Sequence, residues 1–269
     1  MTEKRPEPGF NLVHDVYDNV KFLRNVAERL VVRAKLVPGQ RVLDVACGTG
    51  WATMAAARAV GDKGRVAGVD IADKMLDIAR KKTVAAGLSN VDYRPGDAEV
   101  LEFDDNSFDV VICASSIFFL RDIPKALHEW HRVLKTGGTL AFTSFGVGYM
   151  QPLNKLFNER LAQYEGQAQS GQSPTERTDT TDKCREFLKQ AGLAEIKIVT
   201  EQLGYYFEDA HAYWQEMTST AIKFILNRLS PDKLEKFKAE HLAEVESLRT
   251  DRGIWMNAPV HFSVAKKRT

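Results

Sequence analysis

Three carboxylates stand where a buried sheet would present them to a ligand: Asp44, Asp70 and Asp97. Asp44 sits inside the apolar run RVLDV, residues 41–45. An unpaired carboxylate in a buried strand is costly, so it needs a partner, and a cationic ligand would supply one. Ala46, Cys47, Gly48, Thr49 and Gly50 follow at once and remove nearly all side-chain bulk. A bare turn between a strand and a helix start lets a ligand lie against backbone N–H groups. Asp70 closes RVAGVD, at a strand tip where a carboxylate accepts hydrogen bonds from both hydroxyls of a ribose. Asp97 follows a Pro95-Gly96 turn at the carboxyl end of a third strand, the edge at which open α/β sheets bind ligands.

The turn itself narrows the choice. A dinucleotide fingerprint needs a third glycine after Gly48-Thr49-Gly50, but Trp51, Ala52 and Thr53 stand there. A phosphate-binding P-loop needs a Gly-Lys-Ser/Thr ending, which is missing. Asp44, Ala46, Gly48 and Gly50 at alternate positions resemble the first motif of the class I S-adenosylmethionine (SAM) dependent methyltransferases, acid-x-G-x-G-x-G, with Ala46 in place of the first glycine. The stretches VLDVACGTG and DAEVLEFDDNSFDVV are most similar to the ubiquinone/menaquinone-biosynthesis C-methyltransferases and their small-molecule relatives. The match is strong over residues 38–146 and extends by layout to 180–203 and 258–266.

This resemblance implies a site. Asp44, Ala46, Gly48 and Gly50 would form the turn around the cofactor, and Asp70 with its neighbour Ile71 would hold the ribose. Asp97 would accept from the adenine amino group, with Ala98 beside it and Glu99 as a competing acid. Met75 would touch the adenine, although at helical spacing a methionine is more often core. Ser115 would stand at the methyl-bearing end, where Phe118-Phe119 occupy a stretch that is often polar or aromatic. Tyr17 precedes Asp18 in a leading helix that would close over the cofactor; simple packing is the other reading of Tyr17. No metal is implied. No catalytic side chain is assigned, because methyl transfer is an in-line displacement that depends on positioning. An acidic acceptor would still need its proton removed, and His14, Tyr17, Tyr205, His211 and His241 are the candidates.

The elements that must position these residues read as an α/β fold. The expectation is a Rossmann-like, seven-stranded, mostly parallel sheet with helices on both faces, N-terminal helices, and a helical cap inserted before the last strand. Residues 1–37 read as the N-terminal helical segment, with Val13, Val16, Val20, Leu23, Val26 and Leu30 at helical spacing from about residue 10. The core is expected over 38–204, with a mobile segment at 150–180. The cap is expected over 205–256 and the last strand over 257–269. Within the cap, Trp214, Met217, Ala221, Phe224, Ile225 and Leu229 fit one helical stripe, and His241 falls on the inner side of another. A satisfied buried histidine and a substrate-facing one are both open for His241.

Composition bounds the rest. With 44% hydrophobic residues the 269-residue chain can bury a full core. A net charge of +1 argues against a nucleic-acid partner. No apolar run is long enough for a membrane span, and Cys47, Cys113 and Cys184 are too far apart for a Cys-x-x-Cys pattern, so a cytoplasmic setting is expected. The expected partner is a small, apolar, ring-shaped acceptor; the oligomeric state is not readable. Two rivals differ in class. A SAM-binding protein without turnover would share every motif. An NAD-dependent oxidoreductase would need the third glycine and a Tyr-x-x-x-Lys pair after strand four or five, and neither is present.

Overall fold

Strands that are apolar on both faces alternate with amphipathic helices, and this pattern forces parallel pairing through crossover helices. The computed structural model describes residues 9–165 and 173–268. Two 3-10 turns, Gly9–Leu12 and Tyr17–Asn19, lead into α1 (Lys21–Ala34). Then come β1 (Arg41–Val45), α2 (Trp51–Val60), β2 (Arg65–Asp70), α3 (Asp73–Ala85), β3 (Val91–Pro95), β4 (Phe108–Cys113), α4 (Ile123–Val133) and β5 (Leu134–Phe145). The second half holds α5 (Leu153–Glu165), α6 (Thr181–Gln190), β6 (Leu193–Gln202), β7 (Tyr205–Phe207), α7 (Ala210–Met217), α8 (Ile222–Leu226), α9 (Pro231–Glu246), β8 (Ile254–Met256) and β9 (Pro259–Lys267).

Seven strands form one sheet in the order β3-β2-β1-β4-β5-β9-β6. β1 lies between β2 and β4, parallel to both, with Asp44 opposite Gly68 and Ile112. β9 runs antiparallel between β5 and β6. Helices flank the sheet: α1 packs on α2 and β5, and α4 on α6 and β5. The mostly parallel, seven-stranded Rossmann-like architecture is therefore as expected. Among the described residues no helix is long and apolar enough to cross a membrane.

α4 shows how the packing positions the ligand edge. Asp122 caps it by accepting from the Lys125 amide, and Pro124 sits in its first turn, where a missing N–H costs nothing. Its stripe of Ile123, Leu127 and Trp130 is fully buried. The Trp130 indole donates to the Ala98 carbonyl at 2.8 Å, which anchors the loop after β3.

Several expectations are corrected. The stretch before α1 is not continuous helix: residues 9–19 form two short 3-10 turns that lie over the sheet edge as a strap. β5 starts at Leu134, opposite Phe108, and Lys135 to Gly138 bulge out before Thr139 pairs with Val110. The stripe from Trp214 to Leu229 is broken into α7 and α8. Thr218, Ser219 and Thr220 turn their hydroxyls back onto carbonyls of Trp214, Gln215 and Met217, which competes with helix continuation. Of the segment expected to be mobile, residues 166–172 lie outside the described residues. In the rest of it, α5 packs on α9 through Phe157, Leu161 and Phe237, and Arg177 donates to the carbonyls of Phe118, Leu120 and Arg121. The antiparallel β7–β8 pair, Tyr205 opposite Met256, has no counterpart in the sequence reading.

Candidate functional site

β1 delivers Asp44 to the sheet's carboxyl edge fully buried. One carboxylate oxygen accepts from the Thr53 hydroxyl at 2.5 Å, while the other, Oδ1, has no hydrogen-bond partner among the described residues. Burial pushes the Asp44 pKa up to about 7 against the opposing Thr53 hydrogen bonds, and the nearby Asp70 charge adds to the rise. The turn that follows is left-handed at Ala46 (φ 52°), Gly48 (φ 55°) and Gly50 (φ 84°). A Cβ at Gly48 would meet nothing within 4 Å, so the ligand side of the turn is open.

Asp70 ties this turn to α3. Its carboxylate accepts from the Gly48 amide at 2.7 Å and the Ala72 amide at 2.8 Å. Burial raises its pKa, while those backbone hydrogen bonds oppose the rise. Asp97 accepts from the Glu99 amide at 2.9 Å and faces the Arg121 guanidinium at 3.4 Å. Glu99 accepts from the Arg121 amide at 2.7 Å. Ser115, itself left-handed (φ 54°), donates its amide to the Thr143 hydroxyl at 2.8 Å.

One cavity of about 510 Å³ gathers these groups. Tyr17, Asp44, Ala46, Gly48, Asp70, Ile71, Met75, Asp97, Ala98 and Ser115 all line it. Gly50 does not: the Tyr93 hydroxyl and the Ala79 methyl crowd the position a Cβ would take, so this glycine permits close packing behind the turn. Met75 is both core and lining, buried against Val13 and Ala72. Glu99 lines the cavity beside Asp97, so the two acids share that rim.

The other candidates separate. Tyr205 lines a second, larger cleft of about 1100 Å³ between the strap, α1, β7 and α7. His14, whose Nδ1 lies 2.8 Å from the Asn11 carbonyl, lines neither space. His211 is exposed and also outside both. His241 is fully buried in the cap among Phe157, Tyr213, Trp214 and Phe237, away from either cavity.

Of the Phe118-Phe119 pair only Phe119 lines the smaller cavity, and Phe10, Thr49, Trp51 and Arg121 line it without having been singled out as site residues. Thr49 carried a signal, being the one polar residue between the two glycines. Its hydroxyl donates to Asp18 at 2.6 Å, and Asp18 pairs with Lys82 at 2.7 Å. The Lys82 ammonium lies 3.3 Å from the centre of the Trp51 ring. These contacts latch the strap onto the turn. Asp18→Asn should loosen the latch by about 1 kcal/mol, so amide exchange across residues 13–20 should quicken about fivefold. Unchanged exchange would mean that the strap is held by its apolar contacts alone.

The buried, half-partnered Asp44 and the open left-handed turn suit a ligand that brings a positive charge and backbone-facing polar atoms. Comparison with known proteins agrees. The family model for the ubiE/COQ5 methyltransferase family matches residues 13–169. The chain is 39% identical over 144 residues to aklanonic acid methyltransferase DauC of a Streptomyces species, covering 53% of this chain and 66% of that one. It is 43% identical over 128 residues to the ubiquinone/menaquinone biosynthesis C-methyltransferase UbiE of Teredinibacter turnerae, covering 47% of this chain and 50% of that one. The chain thus spans about half to two thirds of those relatives. Against the demethylmenaquinone methyltransferase of Geobacillus kaustophilus the match is 32% over 213 residues, covering 73% of this chain and 91% of that one. Among solved structures, YcgJ of Bacillus subtilis superposes with a TM-score of 0.61 at 20% identity, over 91% of this chain and 99% of that one. A phosphoethanolamine N-methyltransferase of Haemonchus contortus gives 0.57 at 23%, over 91% and 53%. At these identities the structures speak for the fold alone. Fold, site and relatives converge: the chain belongs to the ubiE/COQ5 methyltransferase family.

Proposed function

We propose that the protein is a SAM-dependent methyltransferase acting on a small, apolar, ring-shaped acceptor. The observation that carries this reading is the convergence of Asp44, Asp70, Asp97 and the Gly48 turn on one cavity. In this reading Asp70 accepts from the ribose hydroxyls and Asp97 from the adenine amino group. Asp44 faces the positively charged portion, and Ile71, Met75 and Ala98 cover the adenine. Tyr17 closes the cavity from the strap, and Ser115 stands at the methyl-bearing end. Bound SAM supplies an electrophilic methyl group on a positive sulfonium. The protein's part is to align the acceptor with that methyl and to exclude water, which can contribute about 7–11 kcal/mol to lowering the barrier.

The ring-shaped acceptor is supported by the flat aromatic surface that Phe10, Tyr17 and Phe119 supply to the cavity. Aklanonic acid and quinone precursors, named for the relatives, are ring compounds of that kind. A net charge of +1 favours such a ligand over nucleic acid. The three buried free cysteines fit a reducing cytoplasm. The test is calorimetric titration with SAM and with NADH, followed by a methyl-transfer assay on a panel of phenols, quinols and amines. SAM binding with transfer to ring hydroxyls or ring carbons is the expected result. Binding without transfer to any member would favour a SAM-binding protein, and NADH binding in place of SAM would overturn the reading.

A further inference from the structure

The larger cleft has no part in the cofactor cavity. The two share no lining residue, and the strap and α1 stand between them: Val16 and Phe22 face the cleft, while their chain neighbours Tyr17 and Leu23 face the cavity. The cleft has a charged centre of its own. Glu216 projects from α7, half-buried, and accepts a hydrogen bond on Oε1 from the Tyr205 hydroxyl. Among the described residues Oε2 has no hydrogen-bond partner, and it is not sealed from solvent. Burial raises the Glu216 pKa, and the Tyr205 hydrogen bond opposes the rise. Burial, followed by the Glu216 charge, also raises the pKa of the Tyr205 hydroxyl, so the phenol stays protonated and keeps its donor on Oε1.

A half-buried carboxylate is stabilised by a positive partner, and among the described residues this one has none. Lys21 of α1 and Lys223 of α8 line the same cleft, yet neither forms an ion pair with Glu216; the remaining charged group there is Glu208. The walls suit a cation that also carries apolar surface. Tyr205, Tyr206, Phe22 and Phe207 all line the cleft. Tyr205 packs on Phe22 at 5.9 Å and meets the edge of Phe207 at 5.2 Å, which fixes its ring beside the carboxylate. Tyr206 already carries the Arg252 guanidinium 4.7 Å from its ring centre, whereas among the described residues no cation stands over Tyr205. A positive charge within about 6 Å of an aromatic face is attracted by the ring quadrupole. A metal ion is the poorer occupant, because among the described residues no three His, Cys, Asp or Glu side chains come together as ligands. With about 1100 Å³ of space, and Asn19, Asn25 and Gln215 also lining it, the cleft has room for an organic molecule.

We propose that this cleft is a second ligand site, distinct from the cofactor cavity, which takes an organic ammonium carrying an aromatic ring. The ammonium donates to Oε2 of Glu216 while Tyr205 holds Oε1, and the ring of the ligand lies against the aromatic wall. Binding exchanges the hydration of two charges for one charge-assisted hydrogen bond and ring contact. The site stands whether or not the cofactor is SAM. A ligand seated there borders Val16 and Asn19 of the strap and Phe22 and Asn25 of α1, the two elements whose other side walls the cofactor cavity.

The test pairs 2-phenylethylamine, a cation at about pH 8, with the neutral 2-phenylethanol in calorimetric titrations of the full chain. The wild type should prefer the amine by at least about tenfold, the range of a hydrogen bond to a charged group. Glu216→Gln keeps the shape and an acceptor for Tyr205 but not the charge, and it should bring the two ligands within about threefold of each other. Equal binding in the wild type, or the same preference in Glu216→Gln, overturns the proposal. Asp44 also has an unpartnered oxygen among the described residues, so the location of the amine is read separately, by amide exchange in the wild type. A saturating amine should slow exchange at least about threefold across β7 and α7, residues 205–217. Slowing that spares β7 and α7 overturns the proposal. This readout needs no variant, so it decides the matter even where Glu216→Gln fails to fold.

Discussion

Asp70→Ala should lower affinity for SAM by about 1.5–3 kcal/mol, roughly 10- to 150-fold. In the assigned role the lost carboxylate is the acceptor for both ribose hydroxyls. The structure adds a second cost. The Asp70 carboxylate also accepts from the Gly48 amide at 2.7 Å and the Ala72 amide at 2.8 Å, so it clamps the glycine turn to the start of α3. Alanine leaves both amides without an acceptor at a buried site, a further loss of about 1–3 kcal/mol in unfolding free energy. Asp70→Asn keeps the shape and one acceptor oxygen, so it should fall between. Calorimetric titration reads the first effect and urea unfolding the second. Reduced stability with unchanged SAM affinity would leave Asp70 a turn clamp and remove it from the ribose.

The second large effect comes from the cap and is read against pH. His241 is fully buried, with Nε2 3.0 Å from the Tyr213 hydroxyl and Nδ1 without a hydrogen-bond partner among the described residues. Burial lowers its pKa to about 4, with Glu244 opposing and Arg160 reinforcing the shift. The folded-state value lies below the unfolded one of about 6.5. Between those two values the unfolded chain binds a proton that the folded chain refuses. Stability is therefore full above about pH 6.5 and falls as pH drops toward 4, by up to about 3 kcal/mol. Asp44 works in the opposite sense, because its folded pKa is raised to about 7 and its protonated form is favoured by folding as pH falls. The informative quantity is thus the difference between wild type and His241→Gln, which retains a partner for Tyr213 but does not titrate. Urea unfolding from pH 7 to pH 4.5 should show the wild type losing stability relative to the variant. Parallel curves would mean that the cap admits the imidazolium without penalty.

How legible the site was depends on how local its causes are. Asp44, Gly48 and Asp70 are readable because each function resides in a strand tip or a turn, set by residues a few positions away. The strap is less so: helical spacing of Val13, Val16 and Val20 is present, but Asp18 is held by Thr49 and Lys82, far along the chain. Gly50 fits the motif, yet its reason for being glycine is Tyr93 on a neighbouring strand. The break between α7 and α8 lies in three consecutive hydroxyl residues whose back-bonding competes with a plausible apolar stripe. β7 and β8 are three residues each, too short for any period to register.

The slot taken by β9 has a consequence for how the molecule is made. This interior strand of the sheet follows both its neighbours in the chain, so β5 and β6 are made before the strand that joins them, with bare hydrogen-bonding edges. Until residues 259–267 thread between them, the nascent chain carries two raw strand borders and a cap fastened at one side only. Once they have threaded, the cap hangs from two adjoining strands like a handle, and nothing short of opening the sheet can detach it.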